Sequence, residues 1–206
     1  MPGFARVVLF LAAMAAMAGI AAAPAAGAGY RDPQDVFSLS YDESVWERDG
    51  EEELSLHCRD EACGGAIAGC FFTKEAANGA PAALVMQSFD AAEIARTQVA
   101  AFAEQKERLE REFAGVVDWN KAVDVAPAVA QPYAPRTIAG LLFQVGEFRL
   151  SMLGQVARYA SYMTAADGYS IAIVCHASEN AYERWRPRFE ALVAALRIAG
   201  PVPAPR

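Results

Sequence analysis

Apolar and polar residues alternate along Phe37-Ser38-Leu39-Ser40-Tyr41, the period of a strand with one buried face. The period returns at Leu54, Leu56 and Cys58, with Ser55 and His57 on the opposite face. Between these runs, Asp49-Gly50 reads as a hairpin turn, because this pair readily takes the positive φ angles such a turn requires. Trp46 lies just before it. Cys63, Gly64 and Gly65 read as a loop, followed by a third strand over residues 66–74 and a short strand over 83–87. Residues 29–35 are polar and carry Pro33, so they read as a short arm, with order beginning at Val36.

Beyond residue 90 the period changes. Asp90 can cap a helix whose third residue, Glu93, completes a capping box. Ile94, Val99, Phe102, Leu109 and Phe113 form its apolar stripe, and Glu104, Lys106, Glu107, Arg108, Glu110 and Arg111 its wet side, which describes an amphipathic helix lying on a sheet. Pro127, Pro132 and Pro135 then exclude a second helix and point to an edge strand and loop over residues 118–136. Three strands follow, over 138–150, 155–165 and 169–176, with Asp167-Gly168 as a hairpin turn. In the last of them Tyr169, Ile171, Ile173 and Cys175 share one face, and Ser170, Ala172, Val174 and His176 the other.

Phe189, Leu192, Val193 and Leu196 mark a closing helix, with Pro187 placed in its first turn and Gly200 at its end. Residues 180–186 read as a lead-in turn or a separate short helix. Strands, a long helix, more strands and a closing helix together predict an α+β domain, an antiparallel β-sheet covered by helices.

The N-terminus follows another logic. Arg6 precedes the apolar run VVLFLAAMAAMAGIAAA, which gives way to Pro24 and to Ala26-Gly27-Ala28, the order of a cleavable secretory signal peptide. The run is Ala-rich and falls short of the roughly 20 strongly apolar residues of a spanning helix. The expected division is therefore a signal peptide at 1–28, a single domain at 29–200 and a disordered, Pro-rich tail at 201–206. No membrane span is expected after cleavage, and the protein is expected to be periplasmic or secreted. The full chain of 206 residues carries a formal charge of −7, and a domain of that sign repels nucleic-acid phosphate, so no nucleic-acid partner is expected. The acidic run YDESVWERDGEEE reads as a solvated turn, its spacing matching no calcium loop.

Four cysteines, Cys58, Cys63, Cys70 and Cys175, remain after cleavage. An even count in an exported protein argues for two disulfides. Three connectivities are possible, the preferred one pairing Cys58 with Cys63 and Cys70 with Cys175.

No Gly-x-Ser-x-Gly, His-Glu-x-x-His, Cys-x-x-Cys or phosphate-cradling glycine loop occurs in the chain. Cys175 beside His176 suggests a nucleophile and its base, but neighbours on a strand point to opposite faces. The same holds for His57 and Cys58. If their strands lie close, His57 and His176 could share a face and contribute to a copper or zinc site. The plainer reading is two ordinary strand-end histidines, and no metal, cofactor or catalytic residue is assigned. Trp46, Phe71, Phe72, Tyr182 and Trp185 could line a pocket or pack the core.

The opening Phe37-Ser38-Leu39-Ser40-Tyr41 with Trp46, the long helix after the first strands, and a final strand leading into the helix at Phe189–Leu196 together resemble the Mog1/PsbP-like group of α/β/α sandwiches. The resemblance implies a non-enzymatic accessory protein that works by binding protein partners, here one in the cell envelope. The alternative reading is a small-ligand or metal-binding periplasmic module.

Overall fold

The structure, a computed structural model, describes residues 27–49, 54–112, 123–152 and 155–199. The expected signal peptide, apart from Gly27 and Ala28, and the expected tail lie outside the described residues, as do Gly50 of the first hairpin turn and Phe113 of the long helix.

The chain forms β1 (Ala28–Arg31), β2 (Phe37–Tyr41), β3 (Trp46–Asp49), β4 (Leu54–Cys58), α1 (Asp60–Cys63), β5 (Ala68–Ala76), α2 (Ala82–Gln87) and α3 (Ala91–Glu112). There follow β6 (Val123–Ile138), β7 (Leu141–Met152), β8 (Gln155–Ala166), β9 (Tyr169–Ser178), α4 (Tyr182–Ala194) and β10 (Leu196–Ile198). Seven strands make one antiparallel sheet in the order β3-β4-β5-β9-β8-β7-β6, and β1-β2-β10 make a second, three-stranded sheet. The architecture is the α+β arrangement that the alternation and the helix periods predict, with the strands divided between two sheets.

One face of the large sheet carries the main core. Leu54, Leu56 and Cys58 alternate with Ser55 and His57 so that the apolar three are buried. In β9 the buried positions are Ile171, Ile173, Cys175 and Ala177. Against them pack Phe37 and Leu39 of the small sheet and Trp185, Phe189, Leu192 and Val193 of α4. Trp46 meets Trp185 edge-on at 5.3 Å between ring centroids, a favoured aromatic geometry. On the other face α2 buries Ala82, Val85 and Met86 against Ala165.

Several local expectations are corrected. Residues 29–35 are not a loose arm: β1 pairs antiparallel with β2, Tyr30 is buried, and the Asp32 carboxylate accepts the backbone N–H of Gln34 and of Val36, each at 3.1 Å, while pairing with Lys74. Residues 83–87 are helix, not strand. Ala82, Val85 and Met86 repeat at helical spacing, and the Asp167 carboxylate accepts the Ala82 N–H at 2.9 Å, satisfying a donor the first turn leaves free.

The closing helix begins earlier and ends sooner than the Phe189–Leu196 pattern suggests. Tyr182 and Trp185 extend its buried stripe backwards, and Pro187 lies inside it, where an interior proline costs about 3 kcal/mol. Packing of five buried side chains offsets that cost, since each large apolar one contributes about 1.5–3 kcal/mol. Leu196 leaves the helix to pair with Leu39 in β10, so Gly200 is not the helix end. Cys63 closes a short helix, α1, rather than opening a loop, and Gly64 ends it with φ of 57°, a left-handed angle that glycine adopts without strain.

The long helix lies where the pattern places it, while the edge strand extends over Val123–Ile138 in place of the expected strand and loop, and takes Ile138 from the next strand, which begins at Leu141. Asp90 accepts the Glu93 N–H at 2.7 Å, Ile94 is buried, and β6 is the outer strand of the large sheet. Pro127 and Pro132 fall in the register shifts between Asp124 and Ala128 and between Gln131 and Ala134, where the ladder is already interrupted.

Candidate functional site

Both histidines lie in one register row that crosses the whole large sheet. Glu47 stands opposite His57, His57 opposite Gly69, Gly69 opposite His176, His176 opposite Tyr159, Tyr159 opposite Phe148 and Phe148 opposite Val129. Residues directly opposite in antiparallel strands share a face, so this row lies on the face turned away from the main core. His57 and His176 do share that face. Gly69 stands between them, which sets their backbones about 10 Å apart, two strand spacings.

Gly69 is also why the row can form. A Cβ there would come within 2.9 Å of His176 Cε1 and 3.0 Å of the Leu56 carbonyl oxygen, so the imidazole uses the space a side chain would fill. It stacks on Phe71 at 5.1 Å and on Tyr159 at 5.5 Å, and Tyr159 stacks in turn on Phe148 at 5.1 Å. Four rings thus run side by side from β5 to β7. Burial lowers the His176 pKa, because the charged imidazolium would lose its hydration among the rings, and burial raises that of Tyr159. His176 Nδ1 is buried with no hydrogen-bond partner among the described residues.

The row changes character towards β3. His57 is half exposed, its Nε2 3.9 Å from Glu47, and Arg59 reaches the same carboxylate at 3.6 Å. Phe71 is 44% exposed and Ile67 65%. This end of the face therefore presents apolar rings edged by one acidic and two basic groups. A metal ion at His57 would have to displace the Arg59 guanidinium from Glu47. Among the described residues no three histidine, cysteine, aspartate or glutamate side chains are grouped to hold a metal ion.

The cysteines lie on the other face. Cys58 bonds Cys63, and Cys70 bonds Cys175 across directly opposed positions of β5 and β9, with Cα atoms 4.0 Å apart. Cys175 is buried in the main core while its neighbour His176 faces the aromatic row, so strand geometry separates that pair, and it separates His57 from Cys58 likewise. Trp46, Phe72, Tyr182 and Trp185 pack the core; Phe71 alone of the five candidate aromatics stays open.

A feature without a sequence signal is the charged seam between α4 and the sheet. Glu147 is buried, and Arg158 donates to it at 2.5 and 3.1 Å while also donating to Glu183 at 2.8 Å. Arg158 lies over the Tyr182 ring at 4.4 Å. Arg136 and Glu190 continue the seam at 3.0 Å. The pairing of β6 with β7 and of β7 with β8, and the packing of α4, bring these residues together.

Sequence comparison finds no family model and no curated protein that matches, but the three-dimensional arrangement has counterparts. The solution structure of cyanobacterial PsbP (CyanoP) from Synechocystis sp. PCC 6803 superposes with a TM-score of 0.54 at 10% identity, over 86% of this chain and 95% of that one. The fold is Mog1/PsbP-like. Two more distant structures are a Bacteroides thetaiotaomicron protein, with a TM-score of 0.48 at 12% identity over 84% of this chain and 48% of that one, and the Pseudomonas aeruginosa protein PA94, with 0.44 at 12% identity over 87% and 99%. At these identities the likeness is one of fold. The Mog1/PsbP-like frame here carries two disulfides, and among the described residues no helix is long and apolar enough to cross a membrane.

Proposed function

We propose that this is an exported, non-catalytic binding protein of the bacterial cell envelope that works through protein–protein contacts. Residues 1–28 are its export signal and residues 29–200 its working domain. The observation that carries the reading is the open end of the aromatic row, where Phe71 and Ile67 remain exposed beside half-exposed His57, Glu47 and Arg59. Exposed apolar side chains rimmed by polar ones mark contact surfaces. Two disulfides on the opposite face support a compartment that oxidises thiols, and they stiffen the strands that present the row.

The test has two parts. Intact mass of the protein recovered from the envelope, with and without reduction, should begin at Gly29 and show no free thiol; an unprocessed chain with four alkylated cysteines would refute export. A photo-crosslinking residue at position 71 should then give a discrete envelope adduct that the same residue at Asn78, away from the row, does not. Equal labelling from both positions would refute the surface.

A further inference from the structure

The small sheet carries a second, unrelated constellation. Arg31 of β1 stands opposite Ser38 of β2, and Ser38 stands opposite Arg197 of β10. The three side chains therefore form a row on the sheet's outer face, the inner face being taken by Tyr30, Phe37, Leu39 and Ile198 of the core. Arg31, Ser38 and Arg197, together with Asp35, Phe37, Ile198 and Ala199, line a cleft of about 580 Å³, within the range of about 300–1,000 Å³ typical of small-molecule sites.

We propose that this row binds the carboxylate of a small organic acid. Arg197 Nη1 donates to the carbonyl oxygens of Ala194 at 3.1 Å and Leu196 at 3.0 Å, which leaves its Nε and Nη2 donors outside those two bonds. Ser38 adds a hydroxyl donor between the guanidiniums. Two arginines against Asp35 leave one net positive charge in the cleft, which matches a monoanion better than a phosphate dianion, and the guanidinium fork matches carboxylate geometry. The Phe37 and Ile198 side chains pack inward in the core, so the cleft meets the acid through its charged row.

Asp35 already occupies Arg31, through Nε and through Nη2 at 2.7 Å. The bond from Arg31, foremost, holds the Asp35 carboxyl below its usual range. Asp35 is thus a built-in competitor that an entering carboxylate must displace, and its removal should strengthen binding. Asp35 has φ of 60°, an angle asparagine tolerates, so Asp35→Asn keeps the turn.

The experiment is a titration of the mature, disulfide-bonded protein with benzoate, followed by the amide resonances of Ser38 and Ala199. Benzamide serves as the uncharged control and phenyl phosphate as the dianion. Benzoate should give saturable shifts that benzamide does not, Arg197→Gln should weaken binding about tenfold, and Asp35→Asn should tighten it about threefold. Absence of saturation, equal affinity in Arg197→Gln, or no gain in Asp35→Asn would overturn the proposal. Tighter binding of phenyl phosphate than of benzoate would overturn the choice of carboxylate.

Discussion

Gly69 lies directly opposite His176, and the imidazole occupies the place where a side chain on Gly69 would stand. The smallest residue of β5 and the only aromatic heterocycle of β9 are therefore one packing unit. Gly69→Ala should destabilise the fold by about 1–3 kcal/mol, the range for an overpacked site, because both the ring and the Leu56 carbonyl oxygen must give way. Denaturant unfolding checks this. If His176→Ala in the same chain leaves the penalty whole, the Leu56 carbonyl rather than the ring is the obstacle.

Acid should weaken the domain through the same histidine. Burial lowers the folded-state pKa of His176 below the unfolded value of about 6.5. Above that value both states are neutral and nothing is lost. As the pH falls below it, the unfolded chain takes up the proton first, so stability declines until the folded-state pKa is passed. His176→Phe should flatten the change in unfolding free energy between pH 7 and pH 5, and an unaltered slope would exclude His176 as its source.

Removing Glu147 should be costly. Arg158 is 18% exposed and Glu147 4%, so Glu147→Ala leaves a largely buried guanidinium with only the exposed Glu183 carboxylate beside it, a change worth about 3 kcal/mol, the low end for a broken buried pair. Glu147→Gln keeps an acceptor and should cost less. Thermal or denaturant unfolding of both variants orders them, and equal losses would mean that shape rather than charge holds the seam.

The two disulfides should contribute unequally. The Cys70–Cys175 bond spans 105 residues and the Cys58–Cys63 bond 5, so loop-closure entropy assigns about 4–5 kcal/mol to the first and about 2 kcal/mol to the second. Paired alanine variants of each bridge, compared by urea unfolding, should reproduce that order. A larger loss at Cys58–Cys63 would show that the bridge acts by shaping α1 in the native state.

Much of this was legible in the chain, because local patterns report local structure. Alternation at Leu54–Cys58 and Tyr169–His176 names the buried face of each strand, Asp90 with Glu93 marks a helix start, and adjacency alone shows that Cys175 and His176 part company. Where expectation and structure differ, a distant partner decides. Residues 28–31 become a strand because β2 offers them an edge, residues 82–87 become a helix because Asp167 caps them and Ala165 receives them, and Leu196 leaves the helical period to pair with Leu39. The candidate sites belong to that second kind. His57, Gly69, His176, Tyr159 and Phe148 span 120 positions of sequence numbering, and Arg31, Ser38 and Arg197 come from both ends of the domain. Residue order determines which face each side chain takes, since that depends only on the two-residue period of the strand. Which strands become neighbours, and so which side chains meet, is set by the burial of all those faces at once.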